Sequence, residues 1–431
     1  MTGVPHAGRG ARQPRGVHSV RRLRVTTRPV DDPGDLLLRL PDPNGVVWVR
    51  GGEGFVGWGE AVRIDCGPGS RFRAAAGALD DLVAAATVDD PLARPGSGLV
   101  AFASLTFDSR SPGSVLVVPR VLLARRGDAA WVTVVDDAPD SVPAPQALPD
   151  TGRIRYAGSH VGEIDWLEAV DAARRRLAAG ALEKVVLARD LAVWSEEPLD
   201  PRVLARRLAE RFPACFTFAV AGLIGASPEL LVRRTGDAVE SLVLAGSAPR
   251  GADAAEDEAH GARLLASAKD LHEHRPAVAS VREALEGCCA ELAVDDVPHL
   301  LRLDNIQHLA TDVHGRLDAP ATALDLAGRL HPTAAVCGTP TDTARALIRE
   351  LERLDRGRYA GPVGWVDARG DGEFAIALRC AAVAGARARL YAGAGIVAES
   401  LPEAELEETR LKLRAMQSAL QAPSTAELHR G

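Results

Sequence analysis

Lysine is almost missing from this sequence: of 51 basic residues only Lys184, Lys269 and Lys412 are lysine. A chain that meets nearly every need for positive charge with arginine has reason to keep lysine where arginine cannot substitute. Of the two, only lysine can lose its proton at a tuned pKa. Other scarcities exclude whole classes. The six cysteines, at 66, 215, 288, 289, 337 and 380, never take the paired C-x-x-C spacing of a zinc or dithiol site, so reduced thiols and a cytoplasmic setting are expected. No apolar run approaches the roughly 18 residues of a membrane span. The formal net charge of −7 supplies no broad basic field for nucleic acid. Neither a membrane nor a nucleic acid is therefore expected as a partner, and no repeat of fixed period is found.

What is present is the composition of an ordinary globular protein, 46% apolar and 25% charged over 431 residues. Residues 1–30 hold seven arginines and no acid, which predicts a disordered basic tail rather than an organelle transit peptide. Residues 31–150 alternate short apolar strands with Gly-rich turns, as in Val46–Val49, Phe55–Trp58, Leu99–Leu105, Ser114–Leu123 and Ala130–Val135. A Pro-rich stretch, Asp140–Asp150, closes this β-rich portion. From 151 to 425 helical periods at Ile164–Ala179, Pro201–Arg211, Asp253–Cys289 (interrupted near Pro276), Thr341–Leu354 and Pro402–Leu420 alternate with strand-like runs. Those runs are Leu182–Trp194, Phe216–Gly225, Glu229–Arg234, Ala238–Leu244, Gly364–Asp367, Phe374–Val383 and Ala388–Val397. The pattern predicts an α+β fold, one compact unit with the preceding part, rather than a doubly wound dinucleotide-binding sheet.

Two acidic pairs draw notice. Glu405, Glu408 and Lys412 stand at i, i+3 and i+7, within roughly 60° of one another on a helix, and Asp270 and Glu273 repeat the i, i+3 spacing. Each pair alone fits a solvated helix face. Converging, they suit a hard ion such as Mg²⁺ better than zinc, because His272 and His274 in His-x-His would point apart on a helix. Ala392-Gly-Ala-Gly395 follows a strand and precedes the acidic helix. It lacks the third glycine of a dinucleotide fingerprint and reads as a tight strand exit, or as backbone N–H brought close to a carboxylate.

In order along the chain come Glu-Lys-Val-Val-Leu-Ala-Arg (183–189), Gly-Ala-Ser-Pro-Glu-Leu-Leu (225–231), Leu-Ala-Gly-Ser-Ala-Pro-Arg-Gly (244–251), Lys-Asp-Leu-His-Glu-His (269–274) and Gln-His-Leu-Ala-Thr (307–311). They continue with His-Pro-Thr (331–333), Arg-Tyr-Ala-Gly-Pro-Val-Gly-Trp-Val-Asp (358–367), Ala-Leu-Arg-Cys (377–380), Ala-Gly-Ala-Gly-Ile-Val (392–397) and Glu-x-x-Glu-Thr-x-x-Lys (405–412). This succession resembles the chorismate-utilising enzymes, which include isochorismate, salicylate, anthranilate and aminodeoxychorismate synthases. The match runs from about Asp165 to Met416 and takes in all three lysines. It implies an anthranilate synthase component I-like fold, with large antiparallel sheets packed as a layered sandwich and helices outside.

Within the family, members that add ammonia typically carry glutamine at the position of Lys184, and those that add water carry lysine. Cys337-Gly-Thr-Pro-Thr341 and Tyr359-Ala-Gly-Pro-Val-Gly-Trp365 look like the isochorismate synthases rather than the salicylate synthases. The resemblance implies Lys184 as the base that activates water and Glu229 as the acid that protonates the leaving hydroxyl. Mg²⁺ would be held by Glu273 and Glu408, with Asp270 and Glu405 assisting. Arg379 and Tyr359 would bind the enolpyruvyl carboxylate of chorismate, the backbone of Gly246 and Gly393 would close on the substrate, and Lys412, His308 and Ala335 would line the pocket. One departure is Ala334, where the family usually has proline. No glutaminase subunit would be required, the chain would be a monomer or weak homodimer, and its product would feed menaquinone or siderophore synthesis. The competing expectations are a salicylate synthase and a non-catalytic chorismate-binding subunit.

Overall fold

The computed structural model describes residues 22–149 and 151–421. Its first element corrects the expected limit of the basic tail. Arg24–Val30 is a strand, with Val25 and Thr27 buried on one side, because it adds to the antiparallel edge of Ala129–Val135. Residues 1–21 of that expected tail lie outside the described residues.

Twenty-one strands and eight α-helices make up the described fold. All strand pairings are antiparallel except that of Arg24–Thr26 with Thr87–Asp89. The Pro-rich stretch does not separate two sheets: strand Val46–Arg50 pairs with Phe216–Val220, and Val100–Ser104 pairs with Pro362–Asp367. Alternate residues of the strand beginning at Val46 enter two different cores. Val46 and Trp48 join Phe55, Phe102 and Trp365 inside, whereas Val47 and Val49 pack with Leu204, Leu208, Met416 and Leu420. These last four belong to helices Pro201–Arg211 and Pro402–Gln421, which cover that outer face. The period-2 side-chain direction of a strand thus puts a packed layer on each side of the sheet.

Several expected elements differ. Arg71–Ala85 is a helix inside the stretch expected to hold only strands; its Ala-rich sequence buries Ala75, Leu79 and Leu82 at helical spacing. Ala323–Leu330 is a short helix closed by a capping box from Thr322 and Asp325, and Ile306–Leu317 is a strand; neither is expected from the sequence. The helical region after Asp253 breaks at Ser267, not near Pro276. Ser267 leaves the helical conformation and its hydroxyl caps the next helix at Asp270 N, while Pro276 sits within Ala268–Glu286. Phe374–Val383 is two strands, Gly372–Ile376 and Cys380–Ala384, parted by Arg379 at φ 45°.

Among the described residues no helix is long and apolar enough to cross a membrane. All six cysteines are free.

Candidate active site

The irregularities of the sheet gather at one place. Strand Ala238–Pro249 bulges between Leu244 and Ser247 against Ile306–Leu317, and the bulge turns on Gly246 at φ 84°. The left-handed Arg379 interrupts a strand beside it. Lys184–Ser195 and Arg387–Ile396 run antiparallel through ten paired positions and deliver Lys184 and the glycines at one end. Helices Ala268–Glu286 and Pro402–Gln421 bring the acids. Between these parts lies a small cleft of about 80 Å³.

Glu229, Gly246, Glu273, His308, Ala335, Tyr359, Arg379, Gly393, Glu408 and Lys412 line the cleft. The other three expected site residues stand just behind the lining. Lys184, 1% exposed, pairs through Nζ with Glu273 Oε1 at 3.2 Å and donates to the Glu273 carbonyl at 3.4 Å. Asp270 packs under Gly246, where an added Cβ would come 3.2 Å from the Asp270 Cβ. Glu405, 2% exposed, receives Lys269 Nζ at 2.9 Å. The sequence did not single out Ser247, Val186, Pro228, Leu378, Tyr391 and Gly395 individually, although they also line the cleft. All of these but Tyr391 fall inside the quoted motifs, and Tyr391 shares its strand face with Gly393.

Glu229 is fully buried. Burial pushes its carboxyl up to about 8, overcoming a backbone hydrogen bond from Leu244 and the charges of Lys184, Lys412 and Arg379. Near neutral pH the cleft therefore contains a carboxylic acid with a proton to give.

Arg379 Nη2 lies 2.6 Å from His308 Nε2. A guanidinium can only donate, so Nε2 accepts, the imidazole proton is on Nδ1, and Nδ1 donates to Ser247 Oγ at 3.0 Å. Burial, with Arg379 and Lys412 nearby, holds His308 well below its usual range and keeps it neutral. The Nε and Nη1 of Arg379 are buried without a protein partner. Such donors fit an anionic ligand in the fork geometry that guanidinium offers. Tyr359 stacks on Tyr391, ring centroids 5.2 Å apart, with its hydroxyl 3.0 Å from where a Cβ on Gly393 would be.

The acidic residues present carboxylate oxygens alone, the donor set of a hard divalent cation. Burial raises the pKa of both Asp270 and Glu405, with Glu273 and Glu408 adding to Asp270, and Glu408 adding to Glu405. Carboxylates confined this way favour a cation among them. Lysines now provide that charge: besides Lys184 on Glu273 and Lys269 on Glu405, Lys412 Nζ pairs with Glu408 at 2.6 Å and donates to the Gly393 carbonyl at 2.9 Å. No three of these acids have their oxygens all within 4.8 Å of one another. Among the described residues the group of three or more metal-type donors within 4.8 Å of one another is Asp295, His299 and Asp312, outside this cleft. A cation at Glu273 and Glu408 would compete with Lys184 and Lys412 for the same oxygens.

Glycine at 395 is explained by the Lys184–Glu273 pair. A Cβ there would lie 2.0 Å from Glu273 Oε1 and 3.0 Å from Lys184 Cε. Because a side-chain end can swing aside, Gly395→Ala is expected to fold with little loss of thermal stability. Glu273 would be displaced, and a shift of about 1 Å near the chemistry can cost on the order of 10²-fold in rate. A melting curve and a steady-state assay check this; unchanged turnover would show that the pair's geometry is immaterial.

Residues 140–421 match a family model described as chorismate binding enzyme. The chain is similar to isochorismate synthase DhbC of Bacillus subtilis, 46% identical over 268 residues, which are 59% of this chain and 67% of that protein. Among solved structures it is similar to MenF, the menaquinone-specific isochorismate synthase of Escherichia coli. The TM-score is 0.77 and the identity 26%, over 93% of this chain and 95% of that one. Anthranilate synthase component I of Streptococcus pneumoniae shares the fold, with TM-score 0.65 at 23% identity over 95% of both chains. The fold is accordingly α+β and anthranilate synthase component I-like, and the protein belongs to the chorismate-binding enzyme family.

Proposed function

We infer that this protein is an isochorismate synthase, an isomerase that adds water at one carbon of the chorismate ring and expels the hydroxyl from another. The observation that carries the reading is Glu229, a buried carboxyl in the cleft whose pKa burial pushes up to about 8. A hydroxyl is a poor leaving group unless it is protonated, and water is a poor nucleophile unless a proton is taken from it. Lys184 Nζ takes the proton of the attacking water, and Glu229 gives its own to the departing hydroxyl. One water enters, one leaves, and no proton is gained overall, so the same two groups exchange roles in the reverse direction.

Chorismate is a dianion. The two unpartnered donors of Arg379, with the Tyr359 hydroxyl, suit one carboxylate. A magnesium ion on Glu273 and Glu408, assisted by Asp270 and Glu405, would supply positive charge to the other. Lys412, tied to Gly393 beside the cleft, adds a further cation. The setting proposed is the cytoplasm.

Incubation with chorismate and Mg²⁺, followed by chromatographic identification of the product, tests the function. Isochorismate at equilibrium with chorismate is expected. Salicylate with pyruvate would select the alternative enzyme, and binding without turnover a non-catalytic subunit. Excess chelator is expected to abolish turnover and added Mg²⁺ to restore it, since the acidic groups repel one another and the substrate without a cation. Glu273→Gln and Glu408→Gln should weaken metal-dependent substrate binding more than Glu405→Gln; equal losses would overturn this division of the carboxylates.

A further inference from the structure

All three lysines of the chain are engaged with the acidic residues of the cleft, one lysine to one carboxylate. Lys184 and Lys412 belong to groups that the proposed chemistry uses. Lys269 does not, yet it too was kept as lysine in a chain that otherwise chooses arginine.

Lys269 lies in the first turn of helix Ala268–Glu286 and Glu405 in the first turn of helix Pro402–Gln421. Their contact at 2.9 Å is, among the described residues, the one hydrogen bond or ion pair between these two helices. Glu405 is 2% exposed, and a carboxylate so buried is costly without a partner. Glu273 follows Lys269 by one turn on one helix, and Glu408 follows Glu405 by one turn on the other. The pair therefore links the starts of the two helices that carry the proposed metal-binding glutamates.

We propose that Lys269 is a positioning residue: by pinning Glu405 it sets the separation of the two acidic helices and so brings Glu273 and Glu408 within reach of one divalent cation. The inference rests on the metal reading given above. Its consequence runs against simple electrostatics. Removing a positive charge from an acidic cluster should tighten cation binding, whereas removing the pin should weaken it.

The test uses the full-length protein without substrate and Mn²⁺ as the probe, with free ion followed by electron paramagnetic resonance. Lys269→Met is expected to weaken Mn²⁺ binding by about 10–100-fold, the range for losing a group that orients metal ligands. It should also raise the Mg²⁺ concentration needed for half-maximal rate. In a Glu405→Gln background the same substitution should add little, because Lys269 acts through Glu405. Circular dichroism verifies folding. If Lys269→Met does not fold, Lys269→Gln, whose shorter, uncharged side chain holds Glu405 less firmly, should bind Mn²⁺ more weakly than the wild type. Equal or tighter binding by the folded variant, or losses that add in the double variant, would overturn the positioning role. Wild-type protein that binds no Mn²⁺ would overturn the metal reading itself, and this inference with it.

Discussion

Lys184→Ala is expected to lower the rate of isochorismate formation by about 10²–10⁴-fold, the span for deleting a positioned acid or base, with a smaller effect on substrate binding. The alanine variant alone does not isolate proton transfer, because Lys184 is also the partner of Glu273 and its loss strands that carboxylate. Lys184→Arg separates the two roles. Arginine keeps a positive charge for Glu273 but stays protonated, so it cannot serve as the base. If Lys184 activates water, the arginine variant should be about as impaired as the alanine one, measured at saturating Mg²⁺. Lys184→Gln, which installs the residue of the ammonia-using relatives, should permit slow amination at high ammonium concentration. Near-normal isochorismate formation by Lys184→Arg would make Lys184 an anchor for charge and end the water-activation mechanism.

The scarcity of lysine pointed to Lys184, Lys269 and Lys412 before any fold was considered, but it could not say what they touch. The partners of Lys184 and Lys269 lie 89 and 136 residues away, and only the tertiary fold brings them together. The closing helix was legible because burial on one face fixes the spacing of its apolar residues, and the strand of Lys184 because its apolar run is buried on both faces. Helix Ala323–Leu330 was not, being only eight residues long. Arg71–Ala85 was lost among Gly-rich hairpins although its composition favours a helix. Arg379 shows a different limit. Its motif marked it as a ligand for a carboxylate, yet the left-handed backbone that breaks the strand there is one that arginine seldom adopts, and no local pattern announces it. The tautomer of His308 was likewise out of reach of sequence, since Ser247 and Arg379 fix it from two separate strands' ends.

Glu229→Gln keeps the shape and a hydrogen-bonding head but has no acidic proton, and it is expected to cost about 10²–10⁴-fold in turnover. The pH dependence gives a second, independent handle. Burial raises the Glu229 carboxyl from 4.5 to about 8, so its proton is held below that pH and lost as pH rises through it. On this assignment kcat/KM for chorismate should fall on the basic side near pH 8. That limb should be absent from the residual activity of Glu229→Gln. Starting from isochorismate should give the same limb rather than its mirror image. The active forms of the two directions differ only in which of Lys184 and Glu229 holds a single shared proton, so each is depleted when that proton is lost, and the apparent values belong to the pair. A rate that instead rises through pH 8 would mean that the working form of the free enzyme has lost the Glu229 proton, and the assignment of Glu229 as the acid would have to be withdrawn.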